Sequence, residues 1–242
     1  NLLGNRFAPI TFSIGYLEAT ASELLEEYHR WHAGADMKLP WVITELTGDL
    51  SSLLSALEPL TFPSTRTLFI ETQSSWTAVL DNYAGNSRSD NDTDFFCSRI
   101  HRRGVAMICD EHFHRAAENK QRLVYEQVSF SLYDDHGNQE RFIEVMREDE
   151  RWLFFQRGDP LPFEHTECYS ARRVRDRLTP DMVAEYCAAV GIHAFDATFY
   201  GPRAILIEER YPWWFYLRVP EFRLRRMSCA EYQRQHGIIV PP

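Results

Sequence analysis

Three β-type segments joined by two tight polar turns, between residues 122 and 156, restrict the fold of this chain more than any other feature. Arg122–Tyr133 and Glu140–Arg147 are separated by Asp134-Asp-His-Gly-Asn138, whose Asp, Gly and Asn are the residue types that hairpin connections favour. A charged turn, Glu148–Glu150, then leads into Arg151–Gln156. The pattern predicts a three-stranded meander.

Helices and further strands come in blocks around it. Pro9–Leu17 reads as a strand running into a first helix, whose start is a capping box formed by Thr20 and Glu23. Leu24, Leu25, Tyr28, Trp31 and His32 follow at helical spacing, and Gly34 offers a stop. Asp49–Leu57 carries Leu50, Leu53, Leu54 and Leu57 on one face and closes at Pro59. Thr67–Glu71 and Trp76–Leu80 read as strands about the turn Thr72–Ser75. Asp92 or Thr93 caps a helix expected to run to Arg103, and Val105–Cys109 is strand-like. Thr179, Pro180 and Asp181 open a helix that ends at Gly191. Ala204–Glu208 and Trp213–Val219 read as late strands, and Ser228 with Glu231 forms a second capping box before a short C-terminal helix. Little regular βαβ alternation is present, so the layer rule predicts an α+β fold, a mostly antiparallel sheet with helices packed on it. No flexible linker divides the chain; residues 1–242 are expected to form one domain, with residues 160–167 the best place for a boundary between lobes.

Charge narrows the function. Thirty-five Asp and Glu face 26 Lys and Arg, a formal charge of -9, while six Trp, eleven Tyr and sixteen Phe supply adhesive apolar area. Such a field disfavours nucleic acid and anionic lipid and attracts basic proteins. No apolar run reaches the roughly 20 residues that span a bilayer. Residues 1–7 lack the basic start and apolar stretch of a signal peptide. Cys97, Cys109, Cys168, Cys187 and Cys229 are scattered and never in a C-x-x-C pair, which fits free thiols in a reducing, cytoplasmic compartment.

Motifs for chemistry are fragmentary. Asp90, Asp92 and Asp94 match the first three ligands of an EF-hand loop, but Phe95 stands where the turn glycine belongs and His101 where the bidentate Glu belongs. These acids therefore read as a helix cap or a partner-facing patch. His112 and His114 would share one face of a strand beside Asp110 and Glu111, yet no second cluster completes a metal site. His29 and His32 lie one turn apart on the first helix without a carboxylate in the same motif. No nucleophile signature, dinucleotide fingerprint or phosphate loop occurs, so no cofactor is expected. The basic stretches Arg172–Arg177 and Arg223–Arg226 read as salt-bridge partners for the abundant carboxylates, and the aromatic run Tyr211–Tyr216 reads as core on both strand faces.

The segment Thr65–Thr72 followed by Trp76–Asn82, with the later Pro160–Glu164 and Arg172–Pro180, is similar to a pattern in uncharacterised bacterial proteins. In general appearance the chain resembles the immunity proteins of polymorphic and type VI secreted toxins. That resemblance implies a compact, cytosolic, non-catalytic protein that binds a cognate toxin and occludes its active site. The acids of the expected loops, Asp90, Asp92, Asp94, Asp134, Asp135, Glu148, Asp149 and Glu150, are then the expected contacts for a basic toxin. The alternative is a small-molecule hydrolase or metal-dependent enzyme built on His112 and His114.

Overall fold

The computed structural model describes residues 2–34, 40–62, 64–84, 93–110, 114–115, 123–124, 126–148, 151–211 and 225–240. In chain order the elements are β1 (Ser13–Leu17), α1 (Ala21–Gly34), β2 (Trp41–Thr47), α2 (Leu50–Ser55), β3 (Leu60–Phe62), β4 (Arg66–Thr72) and β5 (Thr77–Asp81). They continue as α3 (Thr93–Ile100), β6 (Gly104–Asp110), β7 (His114–Arg115), β8 (Leu123–Val124), β9 (Gln127–Tyr133), β10 (Gln139–Glu148) and β11 (Arg151–Arg157). The chain then forms α4 (Pro180–Ala189), β12 (Tyr200–Glu209), β13 (Arg225–Met227) and α5 (Cys229–His236). Nine strands make one sheet in the order β11-β10-β9-β6-β1-β5-β4-β12-β2. Every neighbouring pair in it is antiparallel. The fold is α+β, with the meander β9-β10-β11 at one side of the sheet.

Strand alternation sorts the side chains onto two faces. On β4, Leu68 and Ile70 enter one hydrophobic cluster and Phe69 the other; on β5, Ala78 and Leu80 oppose Val79 in the same way. The first cluster packs against Leu50, Leu53 and Leu54 of α2, Met182, Val183, Tyr186 and Cys187 of α4, and Tyr232 of α5. The second packs against Leu24 and Tyr28 of α1 and Phe96 and Cys97 of α3. The central strands are apolar on both faces because both faces are covered.

The caps form as the residue types require. Thr20 N donates to Glu23 Oε2 at 2.8 Å while Glu23 N donates to Thr20 Oγ1 at 3.2 Å. Asp49, Thr179 and Ser228 cap α2, α4 and α5. Gly104 marks the closest approach between α3 and the sheet: a Cβ there would lie 2.4 Å from Cys97 Sγ and 2.6 Å from Thr93 Cγ2.

The structure corrects several expectations. The first strand begins at Ser13, because Pro9–Phe12 forms a turn closed by Phe12 N donating to Pro9 O at 2.9 Å. The third helix stops at Ile100, since His101 takes a left-handed φ of 53°. The segment expected over Arg122–Tyr133 divides into β8, which pairs with β7 in a separate ribbon, and β9. β2 and β3 were not expected; β2 is an edge strand with half its side chains exposed, so its apolar signal is diluted. The expected strand Trp213–Val219 lies outside the described residues.

The stretch after β11 is anchored to the first face by a buried ion pair between Glu164 and Arg141 of β10. Beside it His165 Nε2 sits 2.6 Å from Glu185 of α4, and Nδ1 lies 3.5 Å from Glu167. The Glu185 carboxylate, with Glu167 behind it, raises the His165 pKa above the ordinary imidazole value. A raised folded-state pKa means that this tether is fully present below the unfolded imidazole pKa and is lost as pH rises through the raised value. The expected NMR titration midpoint of His165 is above that of a free histidine and falls in Glu185→Gln. An unchanged midpoint in that variant would show that Glu185 is not the cause.

Candidate functional site

The face that carries α1 and α3 contains a cavity of about 330 Å³. Its residues arrive from five elements and two loops, and strand period explains the floor. Thr67 of β4 pairs with Asp81 of β5 on one side and with Ile207 of β12 on the other. Val79 faces α1 and α3, so Asp81, two residues on, points the same way; Glu209 follows Ile207 by the same rule. Tyr28 and Trp31 of α1, and Phe95 and Phe96 of α3, form the walls, with Ser64, Thr65 and Tyr211 at the edge.

The walls hold one another by ring contacts. Tyr28 meets Trp31 edge-on at 5.4 Å and stacks on Phe96 at 6.5 Å, while Phe95 meets both Trp31 at 5.7 Å and Phe96 at 5.6 Å edge-on. The polar groups converge on two carboxylates. Glu209 accepts the Tyr28 hydroxyl on Oε1 and the Tyr211 hydroxyl on Oε2, the latter at 3.1 Å. Asp81 Oδ1 accepts from the Tyr83 backbone amide at 2.8 Å. Among the described residues no Lys, Arg or His lines the cavity. An aromatic hollow with a carboxylate held in place by two tyrosine hydroxyls has the chemistry to receive a cation, which gains from the ring faces and the carboxylate together.

Asn82 fixes the loop at the cavity edge. Its side chain is fully buried, and Oδ1 accepts the backbone amides of Thr65 and Arg66, both at 2.9 Å, while Nδ2 donates to Pro59 O at 2.8 Å.

A second depression, of about 320 Å³, lies over β6, β9 and β10. Its polar floor is paired within itself: Gln127 Nε2 donates to Glu144 Oε1 at 2.6 Å, and Gln139 Nε2 to Ser131 Oγ at 3.4 Å. Among the described residues Phe142 is its one aromatic lining residue, against five in the first cavity.

The four described acids among those singled out in the sequence, Asp94, Asp134, Asp135 and Glu148, separate into two places. Asp94 opens α3 and meets the β9–β10 turn, where a Cβ on Gly137 would lie 2.5 Å from the Asp94 carbonyl oxygen. Asp134 and Asp135 belong to that turn, so these three acids gather beside the helix that supplies Phe95 and Phe96 to the cavity wall. Their local duties differ from partner contact alone. Asp134 Oδ1 accepts the amides of His136 and Asn138, both at 2.8 Å, and Oδ2 accepts Asn138 Nδ2 at 2.9 Å. Those bonds, the Asn138 side chain first, hold its carboxyl below the usual range. Burial pushes the Cys97 thiol up to about 12, with Asp94 and Asp134 adding to the effect. Glu148 lies at the opposite end of β10, ten residues long and so about 30 Å from end to end. Asp90, Asp92, Asp149 and Glu150 lie outside the described residues, as do His112 and the side chain of His114.

Among the described residues no group of three or more His, Cys, Asp and Glu is placed to hold a metal ion. His32 is buried, with its ring stacked 4.8 Å from Trp41. All five cysteines are free thiols, four of them buried. Among the described residues no helix is long and apolar enough to cross a membrane. Asp81, Glu209 and Tyr28 were missed from the sequence because each looked like an ordinary strand or helix residue. The available signal was parity: a carboxylate continuing the inward-facing row of a strand that is apolar on both faces. No protein-family model, curated protein or solved structure matches the chain.

Proposed function

We propose that this chain is a binding protein of the immunity type, which neutralises a basic bacterial toxin by seating one of the toxin's cationic side chains in the cavity between α1, α3 and the sheet. The observation that carries this reading is the Glu209 carboxylate, held between the Tyr28 and Tyr211 hydroxyls in an aromatic hollow that also contains Asp81. Interface energy concentrates where one anchor fills a desolvated pocket, and arginine is among the residues that dominate such anchors. The net charge of -9, with Asp94, Asp134 and Asp135 gathered beside α3, favours approach of a basic surface. The binding step requires no covalent chemistry.

The test is capture from the native bacterium on immobilised wild type and on Glu209→Gln, followed by purification of the captured protein and calorimetry on the pair. The expected partner is a basic toxin, inhibited stoichiometrically by the wild type, whose Kd rises about 30-fold in the variant, the scale of one anchor contact. Raising salt should weaken the association. Equal affinity for both forms, or a partner without toxic activity, would overturn the reading.

A further inference from the structure

A third hollow, of about 280 Å³, adjoins the aromatic cavity and shares Thr65, Glu209 and Tyr211 with it as a common wall. Its character is opposite. Arg66, Arg210 and Arg226 line it, against Glu208 and the shared Glu209. Two of the arginines are committed. Arg66 donates to Glu208 Oε2 through Nε at 2.9 Å and Nη2 at 2.6 Å, and Arg210 Nε reaches Glu208 Oε1 at 3.3 Å. Burial works against ionisation of Glu208, but the bonds and charge of Arg66, with Arg210 behind, hold its carboxyl below the usual range.

Arg226 stands on β13, opposite Thr61 of β3, with its side chain exposed at the hollow. No carboxylate lies within ion-pair distance of it among the described residues. Among the described residues, three guanidinium groups stand against two carboxylates, one of which is turned to the tyrosines of the neighbouring cavity, a positive excess.

We infer that the group bound here carries a carboxylate on the same residue as its cation, a side chain's length from it, the combination that a basic residue presents at the C-terminus of a partner protein. This deepens the cation-binding reading and rests on it. The cation enters the aromatic cavity against Glu209 and Asp81, and the carboxylate passes over the shared wall to Arg226. A cation alone would leave the Arg226 side of the site unused. An anion alone would meet Glu209 at the same wall, a like charge that repels it.

Calorimetry with two arginine derivatives that differ only in the anion tests this: Nα-acetyl-arginine, with a free carboxylate, and Nα-acetyl-arginine amide, without one. The expected result is about fivefold tighter binding of the free acid, the scale of one partly exposed ion pair. In Arg226→Gln the ratio of the two affinities should fall to about one. Equal binding of the two derivatives by the wild type would overturn the carboxylate subsite and leave the cation cavity standing. Failure of both to bind would overturn the cavity and the subsite together. Free arginine, whose α-ammonium group is charged, separates the two sources of the ligand. Tighter binding of the acetylated form supports a chain terminus, and tighter binding of the free amino acid overturns that assignment.

Discussion

Glu164→Gln is expected to lower the unfolding free energy by about 3–5 kcal/mol, the cost of leaving a buried charge without its partner. Arg141 and Glu164 side chains are both at 0% exposure, and they meet through two bonds, Nε to Oε1 at 2.8 Å and Nη2 to Oε2 at 2.7 Å. The remaining lone pairs and protons are also satisfied. Glu164 accepts the Tyr169 hydroxyl at 2.8 Å and the Leu161 amide at 2.9 Å, while Arg141 Nη1 donates to Gly158 O at 2.7 Å and Nη2 to Gln156 Oε1 at 3.0 Å. Glutamine keeps much of the shape but none of the charge, and the guanidinium is then buried unpaired. The measurement is a denaturant titration, in which the midpoint falls while the slope is unchanged. Removing both charges together, as Arg141→Met with Glu164→Leu, should recover most of the loss, because well-packed apolar replacements avoid the desolvation of two ions. A single-variant loss under about 1 kcal/mol would place this pair with half-exposed bridges such as Arg103–Glu18 and would refute its structural importance.

Asn82→Ala is expected to cost about 3 kcal/mol, by a different route. The side chain replaces a strand partner for the loop between β3 and β4: its oxygen serves the Thr65 and Arg66 amides, and its nitrogen serves Pro59 O. Alanine leaves two donors and one acceptor in a half-buried place without these partners, and each such group costs roughly 1 kcal/mol. The loop carries Ser64 and Thr65 to the aromatic cavity and Arg66 to its arginine-lined neighbour, so stability and the proposed binding should fall together. Amide hydrogen exchange gives the specific readout: Thr65 and Arg66 should lose protection while Leu80, bonded within the central sheet, keeps it. Unchanged protection at Thr65 and Arg66 would show that the loop does not depend on Asn82.

Local rules account for what was legible in the sequence. The turn Asp134–Asn138 formed its hairpin because Asp134 can bond its own backbone and Gly137 can take a φ of +80°. Thr20, Thr179 and Ser228 capped helices because a hydroxyl at that position satisfies an amide three residues on. The central strands were legible because sheet faces covered by helices on both sides demand uninterrupted apolar residues. β2 was not legible: at the sheet edge its exposed positions follow no strong alternation, and its nearest pairing with β12, Thr47 with Arg203, spans 156 residues of sequence.

The candidate site was less legible than the fold, for a physical reason. Acids in loops attract attention, yet Asp134 is occupied by its own turn and Glu148 stands about 30 Å along β10 from that end. The acids that face a cavity, Asp81 and Glu209, sit at strand ends 128 residues apart and meet only because β4 lies between β5 and β12.

By itself the sequence determined the antiparallel meander, the helix starts, the acidic field and the free thiols, all of which depend on neighbours in the chain or on composition. Tertiary structure alone decided which carboxylates share a hollow with Tyr28, Trp31 and Phe95, and which arginines stand beside it. Sheet order and register are set by the burial of whole faces, and no local pattern encodes which distant strands that burial brings side by side.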